Sequence, residues 1–530
     1  ASSLSKMLIP LLPVSPAGDL VISEASKGEA AAECPSEVAR RLGVAGPLFL
    51  AMPPGGAPRT EAVQTLLQQT PCIVGPFASG GAELDAARDW LNAGAHYALL
   101  VVDGTAPPDE VANRVRDALR EVAVPAERVL LALEVGALSA ASVLSICALA
   151  ERLAAPRGDG CYECKHAVSV GIVSGVVLLL PPGRDASLED ELVQQLSPLA
   201  RSDRLQLILG GPGPAFAPPQ LGALDKKGVD VLSPATLGPI APVAPAPTDA
   251  PPLAPPLAPL ASAAMLDVGA SLAACCRTDR EDGLFATVVD ELGGAPLGLV
   301  YSSAESIAAA MRCGRGVYWS RSRNGLWRKG DSSGAWQTLH RIGLDCDHDA
   351  LRFTVTQHGE PPAFCHKNSL TCWGEPGGLR ALQAVLAARR RAAPAGSYTK
   401  RLFDDSNLLR NKLVEEAQEL AEATEPDHVA SEAADLLYFA MVRCVAVGVG
   451  LAEVEAHLDR RALKLQRRPG NDKKERNAAA AKILSEAQEK KAKKAGAPPP
   501  PEASSGGRGS LLLPAAVLLI GLMTVVRARS

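Results

Sequence analysis

The sequence predicts a multidomain chain: an N-terminal α/β region for which a closed barrel is one arrangement, a compact motif-rich unit, an all-α unit, and a hydrophobic C-terminal tail. Three observations carry this reading. The 530 residues exceed several-fold the usual domain size of ~100–200 residues. Residues 1–237 alternate short apolar runs with helix-like stretches, the pattern of parallel strands joined by crossover helices. A stretch of nearly pure Pro and Ala, 238–265, then reads as a semi-rigid linker.

Within the α/β region the apolar runs are 47–51, 97–102, 128–133, 171–180 and 205–209. Between the second and third, Val111, Val115, Leu119 and Val122 recur at helical spacing. Gly210-Gly211-Pro212-Gly213 follows a strand-like run, but its prolines and the lack of a clear helix after it make it a poor phosphate loop. No catalytic constellation is legible here, so the region reads as structural or regulatory. The motif-rich unit spans 266–394 and the helical one 395–470, followed by a charged, Pro/Gly/Ser-rich spacer, 471–509.

A net charge of −4 argues against a nucleic-acid partner. Twelve irregularly spaced cysteines are too few for a disulfide scaffold and suit a reducing compartment with some thiols as metal ligands. Cys161 and Cys164 form a lone C-x-x-C beside His166, more simply structural than metal-binding. The first residues resemble no targeting sequence. Within residues 510–527 the run 511–526 is mostly apolar, with Arg508 before it and Arg527 and Arg529 after it. They fall short of the ~20 residues that comfortably cross a bilayer, near the lower limit of ~17. The expectation is a tail anchor into an organelle membrane, leaving the chain on the cytoplasmic face; an interfacial or packing helix is the alternative.

The densest chemistry lies at Asp345-Cys346-Asp347-His348-Asp349, followed by Cys365-His366 and Cys372. Alternating carboxylates suit a hard cation such as Mg²⁺. In extended chain Asp345, Asp347 and Asp349 share one side and Cys346 the other. Three thiolates, Cys346, Cys365 and Cys372, could hold Zn²⁺ with its fourth position open to water, the catalytic pattern. An EF-hand is excluded because Ala350 and Thr356 stand where Gly and Glu are required. A solvated acidic turn with free cysteines is the bland alternative. Upstream, Trp319, Arg321, Ser322, Arg323, Lys329 and Ser333 interleave cations with hydroxyls and glycines, which offers donors to phosphate oxygens; alone it would be an ordinary basic strand.

Together these strings resemble the phosphoribosyl-AMP cyclohydrolase family, with Asp331 in place of the usual Glu and Ala335 in place of the common Asn. The resemblance implies a β-rich α+β fold, zinc on Cys346, Cys365 and Cys372, and magnesium on Asp345, Asp347 and Asp349. It also implies a homodimer in which the zinc cysteines can come from two subunits. His366 is the candidate proton shuttle in hydrolytic opening of the adenine ring; orienting a neighbour is its other reading.

Further on, Lys412-Leu413-Val414-Glu415-Glu416-Ala417-Gln418-Glu419-Leu420 reads as a helix with Leu409, Leu413, Ala417 and Leu420 on one face. Glu415, Glu416 and Glu419 cluster at helical spacing, and Glu432 with Asp435 repeats the interval. Acids from two packed helices can hold Mg²⁺ against phosphate oxygens; a solvated acidic face is the simpler alternative for one motif alone. This segment resembles phosphoribosyl-ATP pyrophosphohydrolase, an all-α family related to MazG-type pyrophosphatases. The resemblance implies catalysis by Glu415, Glu416 and Glu419, magnesium on Glu416, Glu419, Glu432 and Asp435, and substrate contact by Lys412. More broadly the chain resembles the N-terminal portion of the fungal-type trifunctional histidine enzyme, without a histidinol dehydrogenase part. The expected function is the hydrolysis of phosphoribosyl-ATP, then ring opening of phosphoribosyl-AMP. The alternatives are a general nucleotide pyrophosphatase and a membrane-tethered scaffold with a degenerate zinc domain.

Overall fold

The computed structural model describes residues 8–22, 34–53, 60–78, 81–102, 106–155, 171–181, 183, 185–202, 204–211, 218–237, 265–374, 377–394 and 396–465. Cys161, Cys164, the 238–264 stretch, the spacer and the tail segment 510–527 lie outside them. Among the described residues no single helix is long and apolar enough to cross a membrane. Two compact units emerge, 1–376 with 455–466, and 377–454.

The first unit begins with eight parallel strands: β1 (Leu8–Pro13), β2 (Leu48–Ala51), β3 (Cys72–Ala78), β4 (Tyr97–Val102), β5 (Val129–Glu134), β6 (Gly175–Leu179), β7 (Gln206–Gly210) and β8 (Val229–Thr236). Each pairs with the next, and β1 pairs back to β8, closing a barrel. Helices α1 (Pro35–Leu42), α2 (Glu61–Gln69), α3 (Gly81–Ala93), α4 (Pro108–Glu121), α5 (Ala140–Ala154), α6 (Ala186–Arg201) and α7 (Pro218–Lys226) occupy the crossovers. Their starts are locally encoded: Thr60 accepts from the Val63 N–H, Ser139 and Ser142 form a capping box, and Pro35 and Pro108 open α1 and α4. Strands buried on both faces account for continuous apolar runs in place of alternation. One set of side chains fills the barrel, Ile9, Leu11, Phe49, Ala51, Ile73, Leu99, Leu130, Ala132, Val177, Leu179, Ile208 and Leu232. Gln206 and the buried Asp230 share the faces of Ile208 and Leu232, and the Gln206 amide donates to the Asp230 carboxylate at 2.6 Å, so the packed interior carries a polar pair beside its apolar layers.

The expected boundary at 265/266 is displaced. Strand β9 (Leu266–Asp267) pairs in parallel with the end of β8, through Ala235 with Leu266 and Thr236 with Asp267, and α8 (Val268–Cys275) packs on α7. The Pro/Ala segment therefore interrupts the chain but not the sheet. Next come β10 (Phe285–Glu291), β11 (Pro296–Ser302), α9 (Ala304–Cys313), β12 (Val317–Ser320), β13 (Gly325–Arg328), β14 (Gln337–Leu344) and β15 (Ala350–Gln357). They build a four-stranded sheet ordered β11-β10-β15-β14 and a separate β12–β13 hairpin. Its core, with Val289, Leu297, Tyr318, Leu339, Ile342 and Phe353, is continuous with the outer layer of the barrel.

The second unit is helical: α10 (Gly378–Ala392), α11 (Tyr398–Asp404), α12 (Ser406–Glu422), α13 (Pro426–Ala446) and the start of α14 (Leu451–Ala462). Helix α10, which the sequence reading put in the preceding unit, belongs here because Leu386 is buried with Leu402, Leu409, Phe439 and Val442.

Leu99 is fully buried in the barrel interior. Leu99→Ala is expected to cost about 2–5 kcal/mol, read as a lower urea midpoint of the first unit's unfolding transition.

Candidate metal centres

Two groups of carboxylates converge. Asp345, Asp347 and Asp349 place ligand oxygens within 4.8 Å of one another. They sit on the bend between β14 and β15, not in an extended strand as expected. His348 adopts φ +67°, and Asp345 folds back on Ala350 through an N–H to carbonyl bond of 3.1 Å and an Ala350 N–H to carboxylate bond of 3.1 Å. Bending, not strand alternation, brings the acids together. Their mutual repulsion shows at Asp349, whose carboxyl is pushed above its ordinary range by Asp347 first and Asp345 next. The loop is tied down from outside: Arg277 donates its backbone N–H to the His348 carbonyl at 2.7 Å and its guanidinium to the Asp347 carbonyl at 2.9 Å.

The thiols divide. Cys365 and Cys372 influence each other's ionisation: backbone donation from Lys367 leads the causes that lower the first, while burial leads those that raise the second. Cys346 is exposed on the bend. Among the described residues neither three-ligand group includes a cysteine, so the three thiols do not converge within one chain. His366 is exposed beside Cys365, with Nδ1 4.0 Å from its sulfur.

The basic run forms the β12–β13 hairpin. Arg321, Ser322 and Arg323 are exposed in its turn, Arg321 stacks 4.2 Å over Tyr301, and Arg323 donates to the Ser320 hydroxyl at 3.3 Å. Trp319 is half-buried and Ser333 exposed, its hydroxyl 3.3 Å from the Ala335 N–H. Lys329 behaves differently. It is buried, donates to the Ala335 and Ala363 carbonyls at 3.2 Å each, and feels the fields of Cys372 and Cys365. Spacing gave no hint of this, because the contact depends on where the Cys365 loop returns.

In the helical unit Glu416, Glu432 and Asp435 converge within 4.8 Å. The expected apolar face of α12 is partly wrong: Ala417 is exposed, while Glu416 is buried on the inward side. Lys412 offsets that burial, holding Glu415 at 2.8 Å and Glu416 at 2.9 Å, with its ammonium 5.6 Å from the Phe439 ring. Glu419 stands outside the three-ligand group, yet burial and then Glu416 and Glu432 raise its pKa. Asp435 is raised likewise, by burial first, then by Glu416 and Glu432. Sequence reading assigns Thr399 no site role; its hydroxyl joins Arg389 at 2.9 Å to the Tyr438 hydroxyl at 3.1 Å.

Raised carboxyl pKa values mean that ionisation costs the folded state; that cost is absent below the unfolded pKa and sets in as pH rises through the folded one. In metal-free protein Asp435→Asn is therefore expected to stabilise α13 at neutral pH by on the order of 0.5 kcal/mol after solvent screening. A divalent cation on Glu416, Glu432 and Asp435 would protect this helix from exchange, and the substitution should remove the protection that added Mg²⁺ confers. Hydrogen exchange of residues 426–446 with and without Mg²⁺ measures both effects, and unchanged Mg²⁺ protection in the variant would refute the site.

A family model of phosphoribosyl-AMP cyclohydrolase matches residues 298–374, and one of phosphoribosyl-ATP pyrophosphohydrolase matches residues 379–462. The chain is 55% identical over 197 residues to the histidine biosynthesis bifunctional protein his7 of Schizosaccharomyces pombe, covering 37% of this chain and 46% of that relative. It is 54% identical over 202 residues to the histidine biosynthesis trifunctional protein of Komagataella pastoris, covering 38% of this chain and 24% of that relative. The chain thus spans less than half the length of these two. It is 35% identical over 197 residues to the histidine biosynthesis bifunctional protein HisIE of Parasynechococcus marenigrum, covering 33% of this chain and 88% of the relative. By that last match, and by the two family segments lying side by side, the chain belongs to the HisIE-type family of bifunctional histidine biosynthesis proteins.

Proposed function

We propose that the chain carries out two consecutive hydrolyses of histidine biosynthesis: phosphoribosyl-ATP to phosphoribosyl-AMP and pyrophosphate in the helical unit, then opening of the adenine ring of phosphoribosyl-AMP in the β-rich part of the first unit. The observation that carries this is the pair of separate carboxylate clusters, one inside each family-matched segment.

In the helical unit the donor set is all carboxylate oxygen, which fits Mg²⁺. Glu416, Glu432 and Asp435 would hold it, with Glu419 beside them. Magnesium there supplies neutralisation of charge on the phosphate oxygens. Lys412 fixes Glu415 and Glu416 in place, and Glu415, Glu416 and Glu419 orient the attacking water and accept its proton.

In the β-rich part Asp345, Asp347 and Asp349 fit a second Mg²⁺ by the same criterion. Cys365 and Cys372 fit two of three thiolate positions for Zn²⁺, and Lys329 favours their charged forms electrostatically. We infer a homodimer in which the partner subunit's Cys346 supplies the third. The exposed apolar residues Val288, Leu299 and Trp373 support this, Val288 and Leu299 being paired neighbours on the open face of the sheet. Zinc supplies Lewis-acid activation of water near neutral pH. The water oxygen bonds to C6 of the adenine ring, the N1–C6 bond breaks, and N1 takes a proton. His366 moves that proton, while Trp319, Arg321, Ser322, Arg323 and Ser333 bind and orient the phosphorylated ribose.

Cys365→Ser is expected to abolish ring opening while leaving pyrophosphate release intact, and Glu416→Gln to do the reverse, each by at least ~10²-fold. Separate assays of the two products on folded protein decide it; loss of both activities from either substitution excludes two independent sites.

We also propose that residues 510–527 attach the chain to a membrane, on their apolar composition and flanking arginines. The full chain should sediment with membranes and a chain ending at Gly509 should not; equal distribution of the two removes the proposal.

A further inference from the structure

The barrel lies outside both family-matched segments, yet it reaches the Asp345–Asp349 bend. Asp225, in the last turn of α7, has its side chain only 2% exposed. Its Oδ2 accepts from His348 Nδ1 at 2.8 Å and from the Arg277 guanidinium at 3.2 Å. A carboxylate buried at a helix C-terminus opposes the helix dipole and loses hydration. Its Oδ1 is buried with no hydrogen-bond partner among the described residues, so both of its printed partners crowd onto one oxygen. Those partners belong to the metal bend: His348 stands between Asp347 and Asp349, and Arg277 also holds the carbonyls of Asp347 and His348. The strand that feeds the bend is held from the barrel too. Val44, just beyond α1, accepts from the Ile342 N–H at 2.9 Å, and Arg40 donates to the Leu339 carbonyl at 2.8 Å. Arg41 reaches the Arg312 carbonyl at the end of α9. Strand β14 is an edge strand, bridged at Thr338 by Arg315 and reached from the barrel by the Val44 carbonyl and the Arg40 side chain.

We propose that the barrel acts as the frame of the cyclohydrolase site, with Asp225 as the positioning residue that fixes the Asp345/Asp347/Asp349 bend through His348 and Arg277. This rests on the reading of that bend as a divalent-cation site. Three like charges in an exposed bend repel one another, and left to itself the loop would open. The Asp225 anchor holds its backbone so that the carboxylates stay convergent before any cation arrives, which removes ordering cost from binding.

The test uses the full chain carrying Asp435→Asn, so that the helical cation site does not contribute. Mn²⁺ serves as the spin probe for the bend. Asp225→Asn keeps the shape and removes the charge; His348→Gln removes the imidazole. Each is expected to weaken Mn²⁺ binding about 10-fold, with the double variant no worse than either single one, because both break the same link. Hydrogen exchange should show faster exchange confined to residues 344–350, with barrel strands β7 and β8 unchanged. In the chain without Asp435→Asn, ring opening should fall at sub-saturating Mg²⁺ and recover at high Mg²⁺, a rescue that a folding defect would not show. Unchanged Mn²⁺ affinity in Asp225→Asn, additive effects in the double variant, or loss of protection throughout the barrel each overturn the proposal. Should the parent chain lack ring-opening activity, the functional reading fails, while the Mn²⁺ and exchange measurements still decide whether Asp225 positions the bend.

Discussion

Bringing three carboxylates within a few ångströms of one another is the constraint on which the rest of the molecule depends. Unit charges at 4 Å repel by about 1 kcal/mol in water and about 4 kcal/mol at the effective dielectric of a protein surface. No local sequence preference assembles such a group without help, so each cluster is built where other contacts over-determine the backbone. In the helical unit the help is packing: Leu409, Phe439 and Val442 clamp α12 to α13, and Lys412 offsets part of the charge. In the β-rich part the acids are exposed, and the help comes as hydrogen bonds to the bend from Arg277 and, through His348, from Asp225.

This difference in construction has a chemical consequence. The half-buried helical cluster responds to protonation, since burial and neighbours together raise Asp435 and Glu419. In the exposed bend Asp349 is raised by its neighbours before burial. A cation relieves both, but in the helical unit it relieves desolvation as well as repulsion. The thiol pair follows a third pattern, in which a buried lysine committed to two carbonyls provides positive charge to Cys365 and Cys372 without reaching solvent.

The barrel changes the meaning of the domain organisation. Its outer layer and the sheet that follows share one apolar core, and side chains of its helices α1 and α7 touch the strand and bend that carry the three aspartates. A polypeptide in which the family-matched segment 298–374 alone was excised would lose the barrel's contacts to β14 and leave His348 without the Asp225 carboxylate. Edge strands are where aggregation begins, so contacts to one are a structural service even before any effect on the acidic bend.

Much of this was legible in the residues themselves. The 3.6-residue spacing fixed α4 and α12, the apolar runs located β2, β4, β5, β6 and β7, and the alternating acids marked one of the two convergent carboxylate groups, because those signals are local: periodicity, charge and ligand type survive without knowledge of neighbours. Closure of the barrel was beyond that reach, since the β1–β8 pairing joins residues more than two hundred positions apart. So were the inward turn of Glu416, the burial of Lys329 and the 123-residue link from Asp225 to His348. Sequence determined which groups could bind metal and phosphate; tertiary structure decided which of them meet, because only the folded chain sets the distances over which charges repel and hydrogen bonds form.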